Sequence, residues 1–143
     1  MYGIERIVNM DETFVTNRNL YTRVVGLKGQ ETIRVNDENL NQKEGTTFIG
    51  TVCMDPSIRI PLGLISKGKN KRCEKKYGNQ DSDDLITHSE SGWMTPSVMK
   101  TYLKWLHEMM GKSPFALILD VYRAHIEKTV KAEAKKLGIK LIY

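Results

Sequence analysis

Two of the most apolar stretches of the chain each end in acid. Ile4 to Val8 leads into Asn9-Met10-Asp11-Glu12-Thr13, and Phe115-Ala116-Leu117-Ile118-Leu119 leads into Asp120. Two buried strands that deliver carboxylates to one rim would supply hard oxygen donors, the kind that hold Mg²⁺ or Mn²⁺ together with water and a substrate phosphate. A pair of such ions about 4 Å apart can activate a nucleophile and stabilise the leaving oxygen in phosphodiester cleavage. An Asp at a strand end is also a common turn or helix-cap residue, so the pattern alone leaves both roles open for Asp11 and Asp120. Glu12, the next residue along an extended chain, points away from Asp11 and reads as a structural or supporting group.

A second group with chemical potential is cationic. Lys67, Lys69, Lys71, Arg72, Lys75 and Lys76 fall close together, with one acid, Glu74, between them. Such a run is either a solvated charged surface or a contact for phosphates, and it could also act as a nuclear import signal. The formal charge of +5 and the pI near 9.2 permit a polyanionic partner without requiring one. His88, His107 and His125 are scattered, so Cys53 and Cys73 lack nearby zinc co-ligands and read as two thiols in a reducing compartment. No apolar run approaches the ~20 residues that span a bilayer, and no export signal opens the chain. The expectation is therefore an intracellular protein with no membrane partner.

The elements that must position these groups follow from periodicity. The 143 residues fit one domain. Ile4–Met10 reads as a central strand covered on both faces. Residues 14–45 are polar and rich in breakers, with short strands around Tyr21–Val25 and Thr32–Val35. Thr46–Met54 is β-branched and alternating, Asp55-Pro56-Ser57 turns the chain, and Arg59–Ser66 returns as the second strand of an antiparallel hairpin. Residues 67–91 read as one long basic and polar loop.

Thr95-Pro96 opens a helix whose Val98, Tyr102, Trp105, Leu106 and Met109 share a face, and Gly111 stops it. Trp93, Trp105 and Tyr102 read as core rather than as base-stacking groups. Phe115–Leu119 is a second central strand, Ile126–Leu137 a second helix and Ile139–Tyr143 a last strand. This order implies an α/β fold: a mixed five-stranded sheet, antiparallel hairpin plus parallel strands, with helices packed on it. In such a sheet functional groups gather at the carboxyl ends of parallel strands, where Asp11 and Asp120 would meet.

Four segments in order carry a resemblance: Asn9-Met10-Asp11-Glu12-Thr13, Pro61-Leu62-Gly63-Leu64-Ile65-Ser66-Lys67-Gly68-Lys69, Gly92-Trp93-Met94-Thr95, and Leu117-Ile118-Leu119-Asp120 with His125. Together they resemble the DDE-type transposase and integrase catalytic domain, in the branch of mariner, pogo/Tigger and jerky-like elements, from about Ile4 to Tyr143. The resemblance implies a ribonuclease-H-like fold, Mg²⁺ or Mn²⁺ as cofactor, DNA as partner and a nuclear location, and it leaves a homodimer open. It matches Asp11 and Asp120 to the first two catalytic acids and metal ligands. His125 matches a histidine that follows the second acid, either contacting substrate or capping a helix. It also implies that the Lys67–Lys76 run touches DNA.

Val121-Tyr122-Arg123 departs from the Asn-Ala-Pro-like segment of relatives. The family's third acid would lie beyond Tyr143, so the expectation is a domain incomplete at its C-terminus, inactive in strand transfer by itself. The alternative is a non-catalytic nucleic-acid-binding or assembly module. A small phosphate-handling enzyme unrelated to DNA is a third reading, and the glycine-rich loop it would need is absent from the sequence.

Overall fold

The computed structural model describes residues 3–16, 28–29, 45–77 and 82–143. Among the described residues, six strands form one sheet: β1 (Ile7–Thr16), β2 (Gly45–Cys53), β3 (Gly63–Lys67), β4 (Leu85–Ser89), β5 (Phe115–Ile118) and β6 (Ile139–Ile142). Their spatial order is β4-β3-β2-β1-β5-β6. The β1–β2 and β2–β3 pairs are antiparallel, while β1–β5, β3–β4 and β5–β6 are parallel. Among the described residues, three helices accompany the sheet: α1 (Pro96–Met109), α2 (Arg123–Ile126) and α3 (Lys128–Lys136). No helix among the described residues is long and apolar enough to cross a membrane.

The mixed α/β sheet is the expected one, with six strands rather than five. The additional strand is β4, inside the stretch read as a loop over residues 67–91. Leu85-Ile86-Thr87-His88-Ser89 is short, but Leu85, Thr87 and Ser89 alternate inward and pair in parallel with β3. A 3₁₀ turn over Lys71–Lys76 occupies much of the rest. The short strands expected at Tyr21–Val25 and Thr32–Val35 lie outside the described residues.

β1 also differs from expectation in extent and environment. It begins at Ile7 after a 3₁₀ turn over Ile4–Arg6 and runs through to Thr16, so Asp11 and Glu12 stand within it rather than at its end. It is central, yet its burial alternates: Val8 and Met10 are buried, while Asn9 and Asp11 are exposed. The register carries the inward face across the sheet, from Met10 to Thr51 and from Glu12 to Ile49, and onward from Thr47 to Ile65 and Thr87.

That face meets α1. Thr95 Oγ1 accepts the Val98 N–H at 3.2 Å and Pro96 fills the first turn, so the helix starts where the cap requires. Val98, Met99, Tyr102, Leu103 and Leu106 are buried against Val8, Met10, Ile49 and Leu117. Each fully buried aliphatic side chain contributes about 1.5–3 kcal/mol. Tyr102 is core, as read from the sequence, and its hydroxyl shares a buried 2.9 Å hydrogen bond with Thr51 Oγ1. Burial pushes the phenol well up, so it stays neutral.

The second helix expected from Ile126 to Leu137 is instead two. α2 ends at Ile126, and Glu127 leaves the helical region at ψ 140° to cap α3 through Thr129 N–H. The break gives α2 its own direction, and α2 carries His125.

Candidate metal centre and its cleft

The parallel register of β1 and β5 pairs Val8 with Leu117 and Asn9 with Ile118. Two residues further along each chain come Asp11 and Asp120, so neighbouring strands carry both acids to one rim. They share a cleft of about 400 Å³ with Glu12. Trp93, Met94, Tyr122 and Thr47 supply its remaining walls.

His125 ties the acids together. Its Nδ1 lies 2.8 Å from Asp120 Oδ1 and 3.3 Å from the Asp120 carbonyl oxygen, and its Nε2 lies 3.0 Å from Glu12 Oε1. The ring is fully buried, the Glu12 side chain is 14% exposed and that of Asp120 63%. With an acceptor at each nitrogen, the imidazolium form donates both protons. Burial lowers the His125 pKa, but the hydrogen bond and charge of Glu12, followed by those of Asp120, outweigh it and hold the pKa above 6.5. The Asp11 carboxylate is exposed at the cleft and accepts the Glu12 N–H at 2.9 Å.

The donor set fits a hard divalent cation. One ligand atom each from Glu12, Asp120 and His125 lie within 4.8 Å of one another, and Asp11 adds a third carboxylate to the same cleft. Carboxylate oxygens with water suit Mg²⁺ and Mn²⁺, and an imidazole is also acceptable to Mn²⁺. Both nitrogens of His125 already meet carboxylates, so the ring braces Glu12 and Asp120.

The basic run sits apart from the acids. Glu74 Oε1 meets His88 Nδ1 at 2.5 Å, Ser66 Oγ donates to the Cys73 carbonyl at 3.0 Å, and Thr46 Oγ1 meets Tyr77 Oη at 3.0 Å, which pins the 3₁₀ turn to the sheet. Lys71, Arg72 and Lys75 are exposed on that turn, Lys67 ends β3, and Lys69 pairs with Glu90 at 3.1 Å. None of these five lines the cleft. The Lys76 side chain lies outside the described residues.

Two further residues of the cleft are Glu12 and Trp93. Glu12 was assigned only a supporting role, and its sequence signal is parity: it shares the inward face with Met10, and an acid on an inward face needs a partner. Trp93, read as core, is instead 43% exposed in the cleft and stacked on Phe14 at 4.9 Å between ring centroids. Gly92 accounts for its placement. At φ +79° the chain turns outward, and the Gly92 carbonyl accepts Thr47 Oγ1 at 2.7 Å. A Cβ at Gly92 would stand 3.1 Å from Lys67 Cβ in a region that L-residues avoid. Gly92→Ala should therefore lower stability by about 1–2 kcal/mol in urea titrations and blue-shift or red-shift the Trp93 emission. An unchanged midpoint and spectrum would remove Gly92 as the residue that sets Trp93.

Residues 42–143 match the family model described as DDE superfamily endonuclease. Asp11 and Glu12 precede the matched segment. Among solved structures, the chain is similar to the Mos1 mariner paired end complex with Mn, at 14% identity and TM-score 0.58, over 99% of this chain and 36% of that one. It is likewise similar to the Mos1 strand transfer complex, at 15% identity and TM-score 0.58, over 98% and 35%, and to the Mos1 paired-end complex with left transposon end, at 14% identity and TM-score 0.55, over 96% and 35%. These likenesses show a shared ribonuclease-H-like fold. The chain spans just over a third of the length of those structures. No curated protein matches it.

Proposed function

The chain belongs to the DDE superfamily of endonucleases, and on that premise we propose that it binds DNA and a divalent cation as the acid-bearing part of a transposase-type enzyme. The observation that carries this reading is the arrival of Asp11, Glu12 and Asp120 in one cleft. Two of the similar structures add support, since one is a complex with Mn and another holds a transposon end.

Asp11 and Asp120 are the proposed ligands, with Mg²⁺ or Mn²⁺ as the ion. When bound, the ion supplies Lewis-acid polarisation of a phosphodiester and a more acidic water. Asp120 is oriented for this by His125, whose 2.8 Å contact fixes one carboxylate oxygen. Glu12 holds the other side of the ring, so the brace reaches from β1 to α2. His125 is itself fully buried and acts through Asp120 rather than on the substrate.

The basic turn extends the reading to the DNA backbone. Each phosphate neutralised contributes about 0.9 to the slope of log affinity against log salt. Replacing Lys69, Lys71 and Arg72 with Ala should reduce that slope by up to about 3 in anisotropy titrations of a labelled duplex. An unchanged slope and affinity would exclude this turn as the contact surface. The same run is the proposed nuclear import signal.

Incubation of the chain with labelled oligonucleotides in Mn²⁺, scored for both binding and cleavage, tests the whole. Cleavage lost in Asp120→Asn supports a catalytic domain, whereas salt-sensitive binding without cleavage makes the chain a binding module. Absence of both sinks the proposal.

A further inference from the structure

Two large aromatics stand in the acid-lined cleft with much of their surface open. Trp93 is 43% exposed and Tyr122 45%, although an α/β protein of this size has a core that could hold either. Both are braced. Trp93 stacks on Phe14 with ring planes 28° apart, and its carbonyl accepts Ser89 Oγ at 2.7 Å. Tyr122 meets the buried His125 ring edge-on at 5.5 Å, and its carbonyl accepts the His125 N–H at 2.9 Å. Each ring is thus held against a fixed partner while another part of it faces the cleft.

We infer that this cleft is a nucleobase-binding site in which Trp93 and Tyr122 stack an unpaired base beside the carboxylates. The inference rests on the DNA reading above and narrows its substrate to DNA with an unpaired end or frayed step. Three features favour a base over other occupants. The cleft, at about 400 Å³, is large enough for one nucleotide and too small for a duplex. Its aromatic walls, Trp93 and Tyr122, suit a planar π-system, which every base offers. A base inside a duplex has both faces covered by its neighbours, so only an unpaired one can present a face to Trp93 or Tyr122.

The position of the two residues fits a role at the reacting end. Tyr122 lies two residues after Asp120, and Trp93 is preceded by Gly92, which packs against Lys67 at the start of the basic run. A base gripped here would put its flanking phosphates between the acid cluster and the cationic turn.

The test compares two fluorescein-labelled duplexes, one blunt and one with two unpaired nucleotides at an end, binding the full chain in Ca²⁺ by anisotropy. The wild type should prefer the unpaired end by roughly 5- to 150-fold, the worth of stacking one base on an aromatic. Trp93→Leu and Tyr122→Leu, which lie on separate segments and are each checked for folding by circular dichroism, should lose most of that preference. Trp93→Phe should retain most of it, since the ring face is kept. Equal affinity of the wild type for the two duplexes, or a preference unchanged in both Leu variants, overturns the base site while leaving DNA binding intact. Failure of the wild type to bind either duplex removes the DNA reading itself, and the base site with it.

Discussion

Titration of Mn²⁺ into the chain should give a saturable isotherm that Asp120→Asn and Asp11→Asn each abolish or weaken by more than tenfold. Groups that merely orient a metal ligand cost roughly 10- to 100-fold when removed, and a ligand itself should cost at least as much. The Asn variants keep shape and remove charge, so folding is little disturbed at the exposed Asp11 and Asp120. The informative contrast is Glu12→Gln. If Asp11 and Asp120 are the ligands, loss of the Glu12 charge acts only through His125 and weakens binding less than Asp11→Asn does. If the ion instead sits among Glu12, Asp120 and His125, the order reverses and Asp11→Asn becomes nearly silent. Unchanged affinity in both Asp11→Asn and Asp120→Asn would remove these acids as the metal site altogether.

That Asp11 and Asp120 stand out in the sequence as candidate acids, while Glu12 does not, is a matter of which signals a linear pattern carries. A continuous apolar run followed by acid marks a central strand and its exit, and β5 ends within one residue of where Phe115–Leu119 places it. The Thr95 cap, Pro96 and Gly111 likewise bound α1 by local backbone chemistry. β1 runs on past its apolar run because its pairing with β2 continues to Thr16, and that partner cannot be seen in β1's own residues. The extension keeps Glu12 paired within the sheet, opposite Ile49 on its inward face. β4 was hidden for a similar reason: its five residues include His88 and two hydroxyls, and it is a strand because β3 offers an edge. The split between α2 and α3 depends on one ψ angle at Glu127, for which an otherwise helical pattern gives no warning.

The His125 brace joins Glu12 of β1 to Asp120 and α2. His125→Asn keeps a hydrogen-bonding group but cannot span Glu12 and Asp120, so in EDTA it should lower stability by about 2–4 kcal/mol near pH 6. That range follows from losing hydrogen bonds to charged groups and leaving the mostly buried Glu12 charge without its partner, with the Asp120 contact discounted because that side chain is largely exposed. The melting temperature should fall by roughly 5–15 °C.

The pH dependence has a definite sign. Burial works against the charged ring, Glu12 and then Asp120 more than restore it, and the folded pKa of His125 ends above 6.5. A raised folded pKa means that the folded state binds the proton more tightly than the unfolded one. The resulting stability is fully present below about pH 6.5 and is lost as pH rises through the folded value. Guanidinium midpoints of the wild type and His125→Asn at pH 5.5, 7 and 8.5 should therefore converge as pH rises. A gap that stays constant or widens would mean that the ring is neutral in the folded protein and that no imidazolium holds β1 to α2.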